Sequence, residues 1–192
     1  MKSKKKLLCS LSLFILLACN NEGKDSVEKA DSANEARKDN ADSLGTYQVD
    51  AESADFLVKA ANAEMTVIKL GEVAAQKAMH KKVKEMGEMM IKDHTAGNDE
   101  LKKLAAGRNV SLPETIGGDM QKQVEELGGK KGKDFDRAYI SQMIKDHEET
   151  ISLFKRATEK VNDQDVRTFA NNTLPKLQEH LDSFKVVQKI IN

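Results

Sequence analysis

The chain has 192 residues, with 31 basic residues, 31 acidic residues and four histidines. This balance, without any recognisable nucleic-acid-binding motif, argues against nucleic acid as a partner. Cys9 and Cys19 are the only cysteines. A disulfide framework or a thiolate metal site is therefore excluded for the rest of the chain.

The first residues predict an export signal, assigned to residues 1–18. Four lysines precede an apolar stretch that is too short to span a bilayer. The stretch ends in Leu16-Leu17-Ala18-Cys19, which resembles a bacterial lipobox. The resemblance implies cleavage before Cys19 and a lipid on its thiol, so the membrane is the expected partner. An ordinary secretory signal with a chance cysteine is the alternative.

Residues 19–50 are predicted to be a flexible polar tether between this lipid and the folded domain. They contain few large apolar residues, so burial cannot repay the entropy of ordering the segment. Residues 26–39 are rich in Ala, Glu, Lys and Arg, which favours transient helix. The expected location is the cell envelope, facing the periplasm or the cell surface.

From residue 51 the apolar residues recur with helical spacing, and residues 51–192 are predicted to fold as one all-α domain. Asp50 and Gly107 are typical of a helix start and a helix end. The four long helices are expected at about 51–78, 79–106, 134–160 and 163–190.

The connections indicate a ferritin-like four-helix bundle. Short links join the first helix to the second and the third to the fourth, which predicts two antiparallel hairpins. About 27 residues separate the hairpins, with a short extra helix expected near 119–127. One long crossover between two hairpins is the ferritin-like topology. Within the fourth helix, Pro175 predicts a kink or break.

Three histidines lie near the middles of their helices, on the apolar stripes. His94 and His147 each end a repeated MIKDH pentapeptide, and His180 is on the fourth helix. Glu64 is at the middle of the first helix, so these four residues are expected to share one layer of the core. Imidazole and carboxylate ligands suit Zn, Fe, Mn or Cu. The acids beside the histidines, expected to flank rather than chelate, are Asp93, Asp146 and Glu179.

Other interpretations of these residues stay open. Hydrogen-bonded neutral histidines can form a structural polar layer that sets the helix register. The Glu-x-x-His signature of di-iron bundles is absent, which argues against a ferroxidase centre. A methionine cluster (Met79, Met86, Met89 and Met90) near His80 suits Cu(I), but methionine also fills gaps in cores with few aromatic residues.

Three segments resemble a widespread family of exported bacterial proteins: MIKDHTAGNDEL (90–101), FDRAYISQMIKDHEETISLF (135–154) and TLPKLQEHL (173–181). That family is a domain of unknown function, often labelled predicted outer membrane protein and grouped with ferritin-like folds. The resemblance covers about residues 53–188. It implies a ferritin-like bundle in the cell envelope and no established reaction. Where family members carry an acid one turn after Glu64, this chain has Val67.

The function predicted from the sequence is a non-enzymatic binding or structural role in the envelope, with envelope stress as one setting. The alternative is a metal carrier or oxidoreductase that uses His94, His147 and His180 with a divalent transition metal. Protein partners are not identifiable from the sequence.

Overall fold

A computed structural model describes residues 25–44 and 49–192. The predicted signal peptide and Cys19 lie outside these residues. Within them the regular structure is helical, as the amphipathic periodicity predicts, and no helix combines the length and apolarity needed to cross a membrane. The helices are α1 (Ser26–Leu44), α2 (Ala51–Lys77), α3 (Lys81–Ala106), α4 (Gly118–Gly129), α5 (Gly132–Lys160) and α6 (Gln164–Ile191).

Helices α2, α3, α5 and α6 form the bundle, and the predicted fold is confirmed. Hairpins α2–α3 and α5–α6 pack so that α2 contacts α5 and α3 contacts α6. The start of α5 lies beside the α2–α3 turn, because Asp136 accepts hydrogen bonds from the backbone N–H groups of Met79 and His80, at 3.0 and 2.8 Å. Since α3 ends at the opposite end of the bundle, the crossover through α4 spans its whole length.

At that opposite end, Arg108, just after the end of α3, forms ion pairs with residues at the start of α6. The Arg108 guanidinium lies 2.8 Å from Asp163 and 2.7 Å from Asp165. Asp163 also caps α6 by accepting hydrogen bonds from the backbone of its first turn. Helices α3 and α5 therefore run in one direction, and α2 and α6 in the other.

Two glycines set the close approach of α2 and α3. A Cβ atom on Gly71 would lie 2.9 Å from the carbonyl oxygen of Gly87. A Cβ atom on Gly87 would lie 2.9 Å from both the Gly71 carbonyl oxygen and the Ala74 Cβ. A larger residue at either position would clash mainly with backbone atoms, which cannot move aside easily. Glycine at these two positions therefore allows α2 and α3 to pack closely.

The core has two apolar clusters, one toward each end of the bundle. The lower cluster, at the end where α2 begins, is built around Phe56, Leu101, Phe154, Phe169 and Leu177. The upper cluster, nearer the α2–α3 turn, is built around Leu70, Met90, Phe135, Tyr139, Met143 and Phe184. The buried polar residues at mid-bundle lie between the two clusters.

Two expectations differ from the structure. The flexible tether is wrong for residues 25–44, because α1 is a helix docked on α2 and on the crossover. The amide of Asn34 exchanges two hydrogen bonds with the backbone of Ser111, at 2.9 and 2.7 Å, and Ser26 accepts from the N–H groups of Glu114 and Thr115. A break at Pro175 is also wrong, because α6 runs through it without interruption.

Candidate metal centre

The structure brings His94, His147 and His180 together from α3, α5 and α6. Their side chains are 5%, 1% and 2% exposed, so bulk water does not reach them. The ring centroids are 5.3–5.6 Å apart. One ring nitrogen from each histidine lies within 4.8 Å of the corresponding nitrogen of the other two. The three imidazoles therefore lie close enough together for one nitrogen of each to approach a single ion at mid-bundle.

Each histidine is held from behind by an oxygen acceptor. The Nδ1 atom of His94 lies 2.8 Å from Oε2 of Glu64 on α2. The Nδ1 atom of His147 lies 2.8 Å from the carbonyl oxygen of Met143, one turn earlier on α5. The Nε2 atom of His180 lies 3.0 Å from Oδ2 of Asp93 on α3. In the neutral rings of His147 and His180, the bonded nitrogen therefore carries the proton.

The other nitrogen of each ring is left with a free lone pair. These atoms, Nε2 of His94, Nε2 of His147 and Nδ1 of His180, are buried and have no hydrogen-bond partner in the structure. Buried polar atoms are nearly always paired in native proteins. Three buried ring nitrogens without partners, in histidines that lie this close together, fit a cation-binding site.

Burial keeps the His147 and His180 rings neutral at neutral pH. Burial, together with a smaller effect of the nearby His94 ring, lowers the pKa of His147 to about 3. Burial also lowers the pKa of His180, against the opposing effect of Asp93. A metal ligand must offer a lone pair, and the neutral state of His147 and His180 meets that requirement at neutral pH.

Glu64 supports His94 in the structure and points its carboxylate at Nδ1, the nitrogen turned away from the other two rings. It is 3% exposed, and its Oε2 would lie 3.3 Å from a Cβ atom on Gly97. The absence of a side chain at Gly97 thus leaves room for the carboxylate. The sequence placed Glu64 at the right level, but its role in the structure is to orient a histidine.

The three flanking acids have different environments. Asp93 is a partner of His180 on a neighbouring helix, a contact that the sequence did not predict. Asp146 accepts hydrogen bonds from Gln123 on α4 and from Gln142 on its own helix, and burial raises its pKa to about 6. Glu179 is exposed and pairs with Lys176 on its own helix. Of the three flanking acids, only Asp93 therefore contacts a histidine of the cluster.

Three of the four methionines considered as an alternative soft-metal cluster belong to the apolar core, and the fourth is exposed. Met86 and Met90 are buried in the upper cluster, Met89 packs at its edge, and Met79 is 67% exposed. His80 caps α3, where its Nδ1 atom accepts from the N–H of Lys82. Sequence reasoning did not single out Asn98, a buried polar residue on α3, although its position four residues after His94 was a usable signal.

Arrangements of helices like this one occur in solved structures. A DUF305 fragment from Deinococcus radiodurans has a TM-score of 0.66 at 9% identity, over 74% of this chain and 99% of that one. CopM in the Cu(II)-bound form has a TM-score of 0.63 at 18% identity, over 73% and 97%. The conserved hypothetical protein rv2844 from Mycobacterium tuberculosis scores 0.57 at 15% identity, over 72% and 98%. At these identities the likeness concerns the fold alone.

The family follows from the sequence match. No curated protein has a significantly similar sequence. Residues 34–187, which include the second half of α1 and all of the histidine cluster, match the family described as "Domain of unknown function (DUF4142)". The resemblance stated from the sequence is confirmed, and this chain belongs to the DUF4142 family.

Proposed function

We propose that this protein binds one divalent transition-metal ion between His94, His147 and His180. The observation that carries the proposal is the cluster of three buried histidines, each with one ring nitrogen that has no hydrogen-bond partner. Three nitrogens bound to one zinc ion at about 2.0–2.1 Å lie about 3.3–3.5 Å from one another. The ligand nitrogens are now within 4.8 Å of one another, so each would reach such a position by moving less than about 1 Å.

The surroundings of the histidines support the same proposal. Histidines that bind metals usually donate their second N–H to a carboxylate or a carbonyl oxygen, which fixes the tautomer and raises ligand basicity. Glu64, Met143 and Asp93 supply these acceptors. The Glu64 and Asp93 carboxylates also carry charge that balances a divalent cation in a medium of low dielectric.

The donor set favours Cu(II) or Zn(II) among the candidate metals. Imidazole suits both, and a given nitrogen site generally binds Cu(II) most tightly of the divalent first-row metals. The Cu(II)-bound form of CopM has a similar fold, which makes copper the first metal to test. A structural polar layer without metal remains the competing interpretation.

Elemental analysis of the full chain, purified without chelators, tests this proposal. We expect one metal ion per chain, and a rise in melting temperature when Cu(II) or Zn(II) is added. An ion at 100 times its Kd stabilises the native state by about 2.7 kcal/mol. His147→Leu should abolish both effects. The control is His80→Asn, which removes the fourth histidine and leaves a side chain suited to the N-cap. Substoichiometric metal with an unchanged melting temperature would contradict the proposal.

We also infer that Cys19 carries a lipid and anchors the protein to a membrane of the cell envelope. The support is the lysine-rich start, the short apolar stretch and the lipobox-like Leu16-Leu17-Ala18-Cys19. Cys19→Ser should move the protein from the membrane fraction to the soluble fraction. Cys9→Ser is the matched control and should leave it bound. Membrane retention of the Cys19→Ser protein would refute the anchor.

A further inference from the structure

The amide side chain of Asn98 is an unexplained polar group in the core. Asn98 lies on α3, four residues after His94, and is 6% exposed. Its Oδ1 atom is buried and has no hydrogen-bond partner in the structure. A buried acceptor left unpaired costs about 1–3 kcal/mol. Such a residue in mid-helix therefore requires an explanation that packing does not supply.

The helix geometry directs this amide toward the histidines. Residues four apart on a helix share a face. Side chains on a helix lean toward its N-terminus, over the preceding turn, so Asn98 leans toward His94. The neighbouring Gly97 lies at the same height in the bundle as the histidines. A Cβ atom added to Gly97 would be 3.3 Å from the Glu64 oxygen that bonds to His94. This turn of α3 thus borders the histidine layer.

On the opposite side of the layer, methionine and phenylalanine side chains come next to the histidines. Met90 and Met143 come four residues before His94 and His147, on two helices that run in the same direction. The same lean takes their side chains away from the histidines and into the upper cluster, where both are fully buried. The Phe184 ring, 5.2 Å from that of His147, lies on this side too. A fourth donor is therefore expected from Asn98 and not from a thioether.

We propose that Oδ1 of Asn98 is the fourth ligand of the metal held by the three histidines. This inference rests on the proposed metal binding. It gives the ion three nitrogens and one oxygen, a set that suits Zn(II) and Cu(II), whereas Cu(I) is selected by thioether or thiolate sulfur. It also gives the unpaired amide oxygen its partner. Asn98 would thus determine which oxidation state of copper the site prefers.

Co(II) titration of the full chain tests the fourth ligand, because the visible absorption of Co(II) depends on its ligands and geometry. The test variant is Asn98→Leu, and Asn98→Ala serves as a second if the first does not fold. The matched control is Asn171→Leu, since Asn171 is an exposed asparagine on α6. Asn98→Asp restores an oxygen donor. Circular dichroism confirms the fold of each protein before titration.

We expect the wild type and Asn171→Leu to give the same Co(II) spectrum and affinity. Asn98→Leu should bind more weakly, by roughly tenfold or more, because losing even an outer partner of a ligand costs about 10–100-fold. Its absorption bands should shift, and Asn98→Asp should recover the affinity. An Asn98→Leu protein with the wild-type spectrum and affinity would overturn this inference and leave metal binding intact. No Co(II) binding by the wild type would overturn the proposed function itself.

Discussion

Acid should destabilise the metal-free protein through His147. Burial lowers the pKa of its imidazole to about 3 in the fold, against about 6.5 in an unfolded chain. The unfolded state therefore binds a proton as the pH falls below about 6.5, and the folded state does not. Stability from this group is complete above that pH and is lost as the pH falls toward 3. One pH unit within the window corresponds to about 1.4 kcal/mol, so the loss from pH 7 to pH 5 is about 2 kcal/mol.

Urea unfolding at pH 7, 6 and 5, with a chelator present, measures this loss. Other groups also titrate in this range, so the comparison is with His147→Leu, which lacks the imidazole. The wild type should lose about 2 kcal/mol more than the variant between pH 7 and pH 5. The reasoning fails if the two proteins lose stability in parallel, because His147 would then be protonated in the folded state as readily as in the unfolded state.

Four further substitutions test the histidine site, the α2–α3 contact and the docking of α1. Glu64→Gln removes the charge behind His94 and should weaken metal binding about 10–100-fold without unfolding the protein, as measured by metal titration. Gly87→Ala should destabilise the protein by about 1–3 kcal/mol, because the added Cβ would clash at the α2–α3 contact. The control Gly128→Ala should be neutral or stabilising, because no atom lies within 4 Å of the added Cβ. Equal melting temperatures of the two variants would contradict this prediction. Asn34→Ala should raise the hydrogen-exchange rates of α1 amides and leave those of α2–α6 unchanged, since its two bonds join α1 only to the crossover.

The helices of the bundle could be predicted because each one has a continuous apolar stripe and a clear stop. The predicted ends agree with the structure within a few residues, as for 51–78 against Ala51–Lys77. Helix α1 lacks such a stripe, so its periodicity carried no signal of docking. What fixes α1 is a set of polar contacts with the crossover, such as the paired bonds between Asn34 and Ser111. These depend on a distant segment that periodicity cannot place.

The position of the site at mid-bundle could be predicted, because the helices have matched lengths. The role of each residue in the site could not be predicted in this way. Which nitrogen of each ring faces the centre depends on the acceptor behind it. For His180 that acceptor, Asp93, comes from a different helix. The sequence showed Asp93 as a neighbour of His94 that points about 100° away. Because Asp93 is offset by about 100° around α3 from His94, its side chain faces the adjacent α6. The sequence does not show which helix lies on that side of α3, but the packing of α3 on α6 does.

The hydrogen-bond acceptors of the histidines also predict how the stability of the metal-free protein changes when a histidine is replaced by leucine. His147 is held by the Met143 carbonyl oxygen, which already accepts the helical N–H of residue 147. His147→Leu therefore leaves no charge unpaired, and it removes a buried nitrogen that has no partner. The metal-free variant should be more stable than the wild type at neutral pH, by about 1–3 kcal/mol.

His94→Leu should have the opposite effect, because it leaves the Glu64 carboxylate buried without its partner. Leaving a buried charged acceptor without its hydrogen-bond donor costs at least about 1–3 kcal/mol. Both variants should lose the metal, and urea unfolding in chelator compares their stabilities. If the layer existed to set the helix register, both substitutions would destabilise the fold. A His147→Leu protein that is more stable but binds no metal would show that the wild-type imidazole is retained at the expense of stability, as expected of a residue kept for binding.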